Sequence, residues 1–245
     1  MKKILSRLRR AVEDYNMIEE GDRIAVGVSG GKDSLVALIA MKSLQRFYPK
    51  KFHLEAVTID LGFEDMEYAP IEKLCSQLDI PYHVEHTDIK QIVFDIRKEE
   101  NPCSLCAKLR RGAMCAAVKA RNIDKIVYGH HFDDVLNTYF LSLIYEGRIN
   151  TFSPVTYLER MEVTVLRPFI YTEESEIRRY AESNDLPVVK NSCPADKNTK
   201  RQYAHELVWK LERENHGFRN RLFTAIQNSG ISGWERADTT NEVEE

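Results

Sequence analysis

The chain has 245 residues, a formal net charge of -3 and 43% hydrophobic residues, which is enough for one large domain with a full core. No uncharged stretch is long enough to span a membrane, and no apolar signal region follows the basic N-terminus, so we expect a cytoplasmic protein with no membrane partner. The net charge also excludes a global attraction to nucleic acid, so that such a partner would need a local basic patch.

Hydrophobic periodicity predicts an N-terminal helix and then strands that alternate with helices. The predicted helices cover residues 2–17, 34–47, 68–78, 89–98, 104–121, 133–145, 173–183, 199–216 and 219–228. The predicted strands cover residues 23–28, 53–61, 81–86, 125–128 and 163–166. This alternation predicts an α/β fold with a parallel, Rossmann-like sheet covered by helices on both faces. Strands become fewer after about Gly147, where we predict a helical appendage.

The same pattern divides the chain into four parts. We expect an N-terminal basic helix over residues 1–20, an α/β domain over 21–170, a C-terminal helical extension over 171–230 and a disordered acidic tail over 231–245. Basic residues crowd the first ten positions and recur from Lys197 onward. These two clusters are either solvated helix faces or patches for a nucleic acid.

A glycine-rich loop joins the first predicted strand to the first helix after it. Its residues are Ser29, Gly30, Gly31, Lys32, Asp33 and Ser34. A glycine pair lets backbone N–H groups converge, and the helix N-terminus adds a positive dipole end, so the loop predicts a phosphate site. It is not the loop of kinases and GTPases, which has a glycine where this chain has Val26. The alternative is a turn that merely connects two elements.

An odd number of cysteines, five, argues against a disulfide framework in a cytoplasmic chain. Cys75 lies in an apolar helical pattern and is predicted to pack in the core. Cys115 is predicted to face away from Cys106, because nine helical positions turn the side chain to the opposite face. Both thiols are therefore interpreted as core residues.

Cys103 and Cys106 follow Pro102, which is typical of a helix start. Because residues three apart share a helix face, both sulfurs should project together and suit a metal or persulfide chemistry. Cys193, beside Pro194 in a polar loop, is the candidate third ligand. Three cysteines leave one metal position open, as a reacting site needs. The alternative is an accidental spacing.

A second loop, Gly129-His130-His131-Phe132-Asp133-Asp134, follows a predicted strand and precedes a helix. Ligands of parallel sheets bind at the carboxyl ends of strands, so this loop and the glycine-rich loop should face one crevice. A metal-bound triphosphate would explain the two acids. The alternative is that one of them only caps the helix.

Together these motifs resemble the TtcA-type tRNA 2-thiolation enzymes, which have the ATP pyrophosphatase (PP-loop) fold and make 2-thiocytidine in the anticodon loop. The resemblance spans about residues 1–205 and includes Arg167-Pro168. It implies that ATP binds with Mg²⁺ and that the C2 oxygen of a tRNA pyrimidine attacks the α-phosphate. Pyrophosphate leaves, and a sulfur then displaces AMP. The sulfur donor would be inorganic sulfide or a product of a cysteine desulfurase, and a homodimer is left open.

The resemblance also implies residue roles. ATP would contact the six residues of the glycine-rich loop together with Gly129 and His130. Lys32 would stabilise phosphate charge, and Asp133 or Asp134 would bind metal or orient the base. A [4Fe–4S] cluster would be held by three residues, Cys103, Cys106 and Cys193.

Arg110 and Arg111, one turn beyond Cys106, would neutralise charge on AMP or tRNA. The target base would have to leave the loop stack to reach the crevice.

Two other functions are kept open. The same chemistry could modify a tRNA uridine or a small molecule. Alternatively, the chain is a nucleotide-binding redox or zinc regulator and not an enzyme of this kind.

Overall fold

We describe a computed structural model of the chain, over residues 1–64, 66–98, 102–189 and 199–237. The helices are α1 (Lys2–Asp14), α2 (Lys32–Gln45), α3 (Ala69–Gln77), α4 (Pro102–Lys119), α5 (Phe132–Leu141), α6 (Glu174–Ser183), α7 (Thr199–Glu214) and α8 (Phe218–Gln227). The strands are β1 (Arg23–Gly27), β2 (His53–Asp60), β3 (Tyr82–His86), β4 (Lys125–Val127), β5 (Val155–Leu158) and β6 (Val163–Leu166). Two π-helical segments, Gln91–Arg97 and Ser142–Glu146, complete the elements.

The strands form one sheet in the order β3-β2-β1-β4-β6-β5. All neighbours are parallel except β5 and β6. The central strand β1 is apolar and Ile24, Ala25 and Val26 have no exposed surface, as expected for a strand covered on both faces. The α/β class with helices on both faces of a mainly parallel sheet is therefore confirmed.

The two faces of the sheet have separate apolar clusters, each with its own helices. One contains α1, α2 and α6 through Leu8, Leu38 and Ile177, and the other contains α4 through Met114 and Val118. Residues of α7 and α8 belong to the first cluster, so the predicted C-terminal extension shares the core of the α/β domain.

The predicted strands after Gly147 include β6 but not β5. Strand β5 forms there and pairs antiparallel with β6, for example Thr156 with Val165. Its residues are half-buried or exposed, because a strand at the edge of the sheet has a neighbouring strand on one side only. A short half-buried edge strand lacks the hydrophobic pattern that identifies a central strand.

The predicted tail boundary at residue 231 lies too early. Trp234 is 1% exposed and its ring packs edge-on against Tyr15 and Phe223, and Ile231 packs against the same cluster, so this part of the predicted tail contributes to the core. Residues 238–245, which carry the rest of the predicted tail, lie outside the described part of the chain.

The basic residues of α1 pair with acids of this chain. Lys3 and Arg7 both form ion pairs with Glu176 in the first turn of α6, and Arg7 also lies near Glu173. These contacts indicate that the basic residues of the N-terminal cluster help to hold α1 against α6, which favours a structural role over binding of a nucleic acid. Within the described residues, no helix is long and apolar enough to cross a membrane.

Candidate active site

The glycine-rich loop connects β1 to α2, as predicted, and Gly31 caps the helix. Gly30 has a φ of +81°, a left-handed conformation that favours glycine. The Ser34 hydroxyl donates to the Gly31 carbonyl at 2.9 Å and accepts from the Ser29 backbone N–H at 3.1 Å. These bonds close the loop around the N-terminus of α2, where backbone N–H groups and the helix dipole favour a phosphate.

Lys32 lies in the first turn of α2 between two carboxylates. Its Nζ is 3.1 Å from Asp33 Oδ2 and 3.0 Å from Glu174 Oε1 of α6. Burial alone lowers the pKa of Lys32, but the two carboxylates outweigh it and raise the pKa above its usual value. The side chain is therefore cationic at neutral pH, as a residue that stabilises phosphate charge must be.

Glu174 holds Lys32 from the opposite side. Burial raises its pKa, but hydrogen bonds from Arg178 and Lys32 overcome this and lower it to about 2. Glu174 is thus a carboxylate at all working pH values and tethers α6 to the loop. Sequence reasoning missed this residue, since an acid in the first turn of a helix looks like ordinary capping.

We predict that Glu174→Gln lowers the free energy of unfolding at pH 7 by roughly 1–3 kcal/mol. Because the pKa of Glu174 is lower in the folded protein than in the unfolded chain, its carboxylate stabilises the fold at pH values above the unfolded pKa of 4.5. This contribution disappears as the pH falls toward the folded pKa of about 2. Urea unfolding between pH 7 and pH 3 should therefore show the gap between wild type and variant closing at the acidic end. Glu162→Gln, which removes only an exposed pair with Lys119, is the control and should show a much smaller gap. A constant gap for Glu174→Gln would contradict this account.

Gly129, after β4, brings the second loop against the first. A Cβ placed on Gly129 would lie 2.7 Å from the backbone oxygen of Asp33. Such an approach is open only to glycine. The two loops therefore meet at one edge of the sheet, as the parallel arrangement predicted, and we call the region between them the crevice.

Asp133 is buried behind this crevice, and both of its carboxylate oxygens have partners. Oδ1 accepts from Arg219 Nη2 at 2.5 Å, and Oδ2 accepts from the Glu174 backbone N–H at 2.8 Å. Arg219 lies 4.2 Å above the Trp209 ring and reaches Glu173 at 3.3 Å. This geometry favours a positioning role for Asp133 that joins α5, α6 and α8. No local pattern could identify Arg219, which lies in a separate helix.

Asp134 lies closer to the crevice. Its carboxylate accepts from the His131 backbone N–H at 3.1 Å, which closes a capping box, and lies 3.6 Å from Arg201 Nη1. His131 Nε2 lies between Asp134 and Asp33, at 3.4 Å and 3.9 Å. One capping acid in this loop was a predicted alternative, and Asp134 does cap the helix.

Asp33 offers the atom that a divalent cation would use. Its Oδ1 is buried and accepts no hydrogen bond among the described residues, although Oδ2 contacts Lys32. An unsatisfied carboxylate oxygen beside a phosphate loop fits Mg²⁺, which binds few carboxylates and the substrate's phosphates. No group of three metal-binding side chains occurs in the described ranges.

Cys103 and Cys106 lie in the first turns of α4. Cys103 is exposed, whereas Cys106 is half-buried against the second apolar cluster. The prediction that Cys75 and Cys115 are core residues is confirmed, since each is 1% exposed. Cys103 and Cys106 are thus more accessible to a ligand than Cys75 and Cys115.

Cys193, the predicted third ligand, lies outside the described residues. The described chain on either side is in contact with the site. The Val189 backbone N–H donates to the Gly30 carbonyl at 3.0 Å, and its Cβ is 3.0 Å from where a Gly30 Cβ would be. On the other side Arg201 reaches Asp134.

His130 lies at the crevice edge near β6. Burial lowers its pKa to about 4, so the imidazole is neutral at neutral pH. Its ring contacts Tyr128 and Phe152 at centroid distances of 5.8 Å and 5.2 Å. Contact of His130 with ATP stays a prediction. So do the roles of Arg110 and Arg111, which are exposed on α4.

Comparison with known proteins agrees with this geometry. Residues 1–211 match the PP-loop domain family. The chain is 36% identical over 230 residues to a tRNA-cytidine(32) 2-sulfurtransferase of Geobacter sulfurreducens, with 93% of this chain and 90% of that protein covered. It is 37% identical over 222 residues to the enzyme of that name from Pelobacter propionicus, with 89% and 82% covered.

Among solved structures, the fold is similar to a U34-tRNA thiolase of Methanococcus maripaludis that holds a [4Fe-4S] cluster. The TM-score is 0.78 at 23% identity, with 95% of this chain and 80% of that chain covered. This likeness supports the fold, and the two relatives above confirm the resemblance seen in the motifs. The chain belongs to the PP-loop family, in the group of the tRNA-cytidine(32) 2-sulfurtransferases.

Proposed function

We propose that this protein uses ATP to adenylate the C2 oxygen of a tRNA cytidine and then replaces that oxygen with sulfur, giving 2-thiocytidine. The observation that carries the proposal is the crevice in which the glycine-rich loop, Gly129 and Asp134 meet. The names of the relatives at 36–37% identity support the cytidine. In the first step a bond forms between the base oxygen and the α-phosphorus, and the bond to pyrophosphate breaks.

The residues of the crevice fit this step. The N-terminus of α2 and Lys32 would bind the phosphates and stabilise the charge that develops on the leaving pyrophosphate. Asp33 would hold Mg²⁺ through its unsatisfied Oδ1. Glu174 would position Lys32, and Asp133 would position the second loop, because the contacts of both acids are to protein groups.

Cys103 and Cys106 fit a [4Fe–4S] cluster with Cys193 as the third ligand. Such a cluster would keep one iron open and supply a bound sulfur. Two features of the described chain support these three ligands. Cys103 and Cys106 are accessible at the start of α4, and the described residues that flank the segment of Cys193 contact the site. The sulfur donor, a homodimer and the cytoplasmic location stay predictions.

The test of the adenylation step is release of pyrophosphate with defined RNA hairpins. Under anaerobic conditions the protein should release pyrophosphate from ATP only when a hairpin with a cytidine at the target position is present. A matched hairpin with uridine at that position is the control and should give only background. Equal release with both hairpins would overturn the choice of cytidine, and release without RNA would argue for a small-molecule substrate. No release with any RNA would support the regulator alternative.

A further inference from the structure

Arg167, directly after β6, is a half-buried cation without an acidic partner among the described residues. Its Nη1 donates to the Ser153 carbonyl at 2.7 Å and to the Thr156 hydroxyl at 2.9 Å. Its Nε is buried and has no hydrogen-bond partner, and no carboxylate of the described residues forms an ion pair with it. Arg219 is also buried, but it has both Asp133 and Glu173. In contrast to Arg219, Arg167 has no carboxylate partner in the described part of the chain.

Aromatic rings surround this guanidinium. Its carbon lies 5.0 Å from the centroid of Phe152, and the His130 ring contacts the same phenylalanine. Tyr128 contacts His130 from the other side. The His130 Nδ1 is a second buried atom without a hydrogen-bond partner. We call Tyr128, His130, Phe152 and Arg167 the Arg167 cluster; all four residues are half-buried, so they are not sealed from solvent.

The Arg167 cluster lies at the crevice. Tyr128 and Arg167 follow the carboxyl ends of β4 and β6, and the Tyr128 backbone N–H donates to Leu166 at 3.0 Å. Gly129, the next residue, is the one that contacts the Asp33 backbone. Burial raises the pKa of Tyr128 to about 12, and the nearby charges of Arg110, Arg167 and Arg111 oppose this rise. Arg110 and Arg111 of α4 are thus near enough to Tyr128 for their charges to act on it.

A cation that is withdrawn from water without a counter-ion is destabilised unless a ligand supplies negative charge. Rings beside arginines are the combination that binds unstacked nucleotides, with the bases on the rings and phosphate oxygens on the guanidinium groups. ATP has its own phosphate cradle at α2. The Arg167 cluster is therefore available to a second nucleotide.

Resting on the function proposed above, we infer that the Arg167 cluster receives the target nucleotide of the RNA strand. Arg167 binds an oxygen of its phosphodiester, and the rings of Phe152 and His130 stack with the base. The neutral His130 supplies a nitrogen that can hydrogen-bond to the nucleotide.

Arg167→Gln tests this inference through RNA binding measured at several salt concentrations, with ATP binding measured separately. We expect the dissociation constant for a cytidine hairpin to rise about tenfold or more and the salt slope to fall by about one. ATP affinity should not change. Arg160→Gln is the matched control, because Arg160 is exposed in the turn between β5 and β6 at the opposite edge of the sheet.

Unchanged RNA affinity and salt slope in Arg167→Gln would overturn the inference, and a loss of ATP affinity alone would assign the cluster to ATP. If wild-type protein fails to bind the hairpin at all, the proposed function itself fails. Arg167 also donates hydrogen bonds to Ser153 and Thr156, and their loss could destabilise the fold. Circular dichroism must therefore show that the variant is folded. If it is not, Phe152→Leu decides, since it keeps an apolar side chain and removes the ring that would stack with the base. We expect about fivefold weaker RNA binding with unchanged ATP binding, and unchanged RNA binding would overturn the inference.

Discussion

Cys103→Ala should abolish formation of 2-thiocytidine and leave both ATP binding and the free energy of unfolding unchanged. Cys103 is exposed in the first turn of α4, so its thiol contributes little to the core. Its expected role is to hold the cluster that supplies the sulfur, a role that alanine cannot take. The measurement is an anaerobic assay with nucleoside analysis by mass spectrometry, together with iron and sulfide counts.

Cys115→Ala is the matched control on the same helix. Because Cys115 is 1% exposed, its loss should lower the free energy of unfolding by about 1 kcal/mol through lost packing. Its iron content and thiolation should match those of the wild type. Full thiolation by Cys103→Ala would remove the cysteine pair from the mechanism, and stoichiometric zinc without iron would favour the regulator alternative.

Gly129→Ala should lower kcat/KM for ATP-dependent thiolation by about a hundredfold, the scale expected when reacting groups are displaced by about 1 Å. The added Cβ would lie 2.7 Å from the Asp33 carbonyl oxygen, so that one of the two loops must move. That movement separates the phosphate site from Asp134. Steady-state kinetics and a titration with ATP would measure the effect.

Gly112→Ala is the control for this change. Apart from the adjacent backbone of α4 itself, no atom lies within 4 Å of the position of its Cβ, so alanine should be tolerated and should stabilise the helix by up to about 1 kcal/mol. If both alanine variants keep wild-type kinetics, the close contact of the two loops has no part in catalysis.

Much of the crevice follows from local sequence. An apolar run, two glycines and a second apolar run predict a strand, a tight loop and a helix. Parallel strands place the loops that follow them at one edge, so the sequence alone predicts that the glycine-rich loop and Gly129 face each other, and Gly129 does approach the Asp33 backbone. The core positions of Cys75 and Cys115 also follow from helical spacing.

The supporting contacts could not be predicted, because they join residues far apart in the chain. Arg219 reaches Asp133 from α8, and Glu174 reaches Lys32 from α6. Side-chain periodicity reports which face of an element is buried, but it carries no information about a partner on another element. Trp234 was missed for a related reason: a single aromatic residue beside an acidic stretch gives no periodic signal.

The central claim is that ATP cleavage in this crevice is coupled to replacement of a cytidine oxygen by sulfur. The most direct measurement is an anaerobic reaction of iron-loaded protein with ATP, Mg²⁺, sulfide and tRNA, in which pyrophosphate and modified nucleosides are counted together. We predict 2-thiocytidine in equal amount to the RNA-dependent pyrophosphate, with no 2-thiouridine. RNA-dependent pyrophosphate release with no sulfur in any nucleoside would contradict the account.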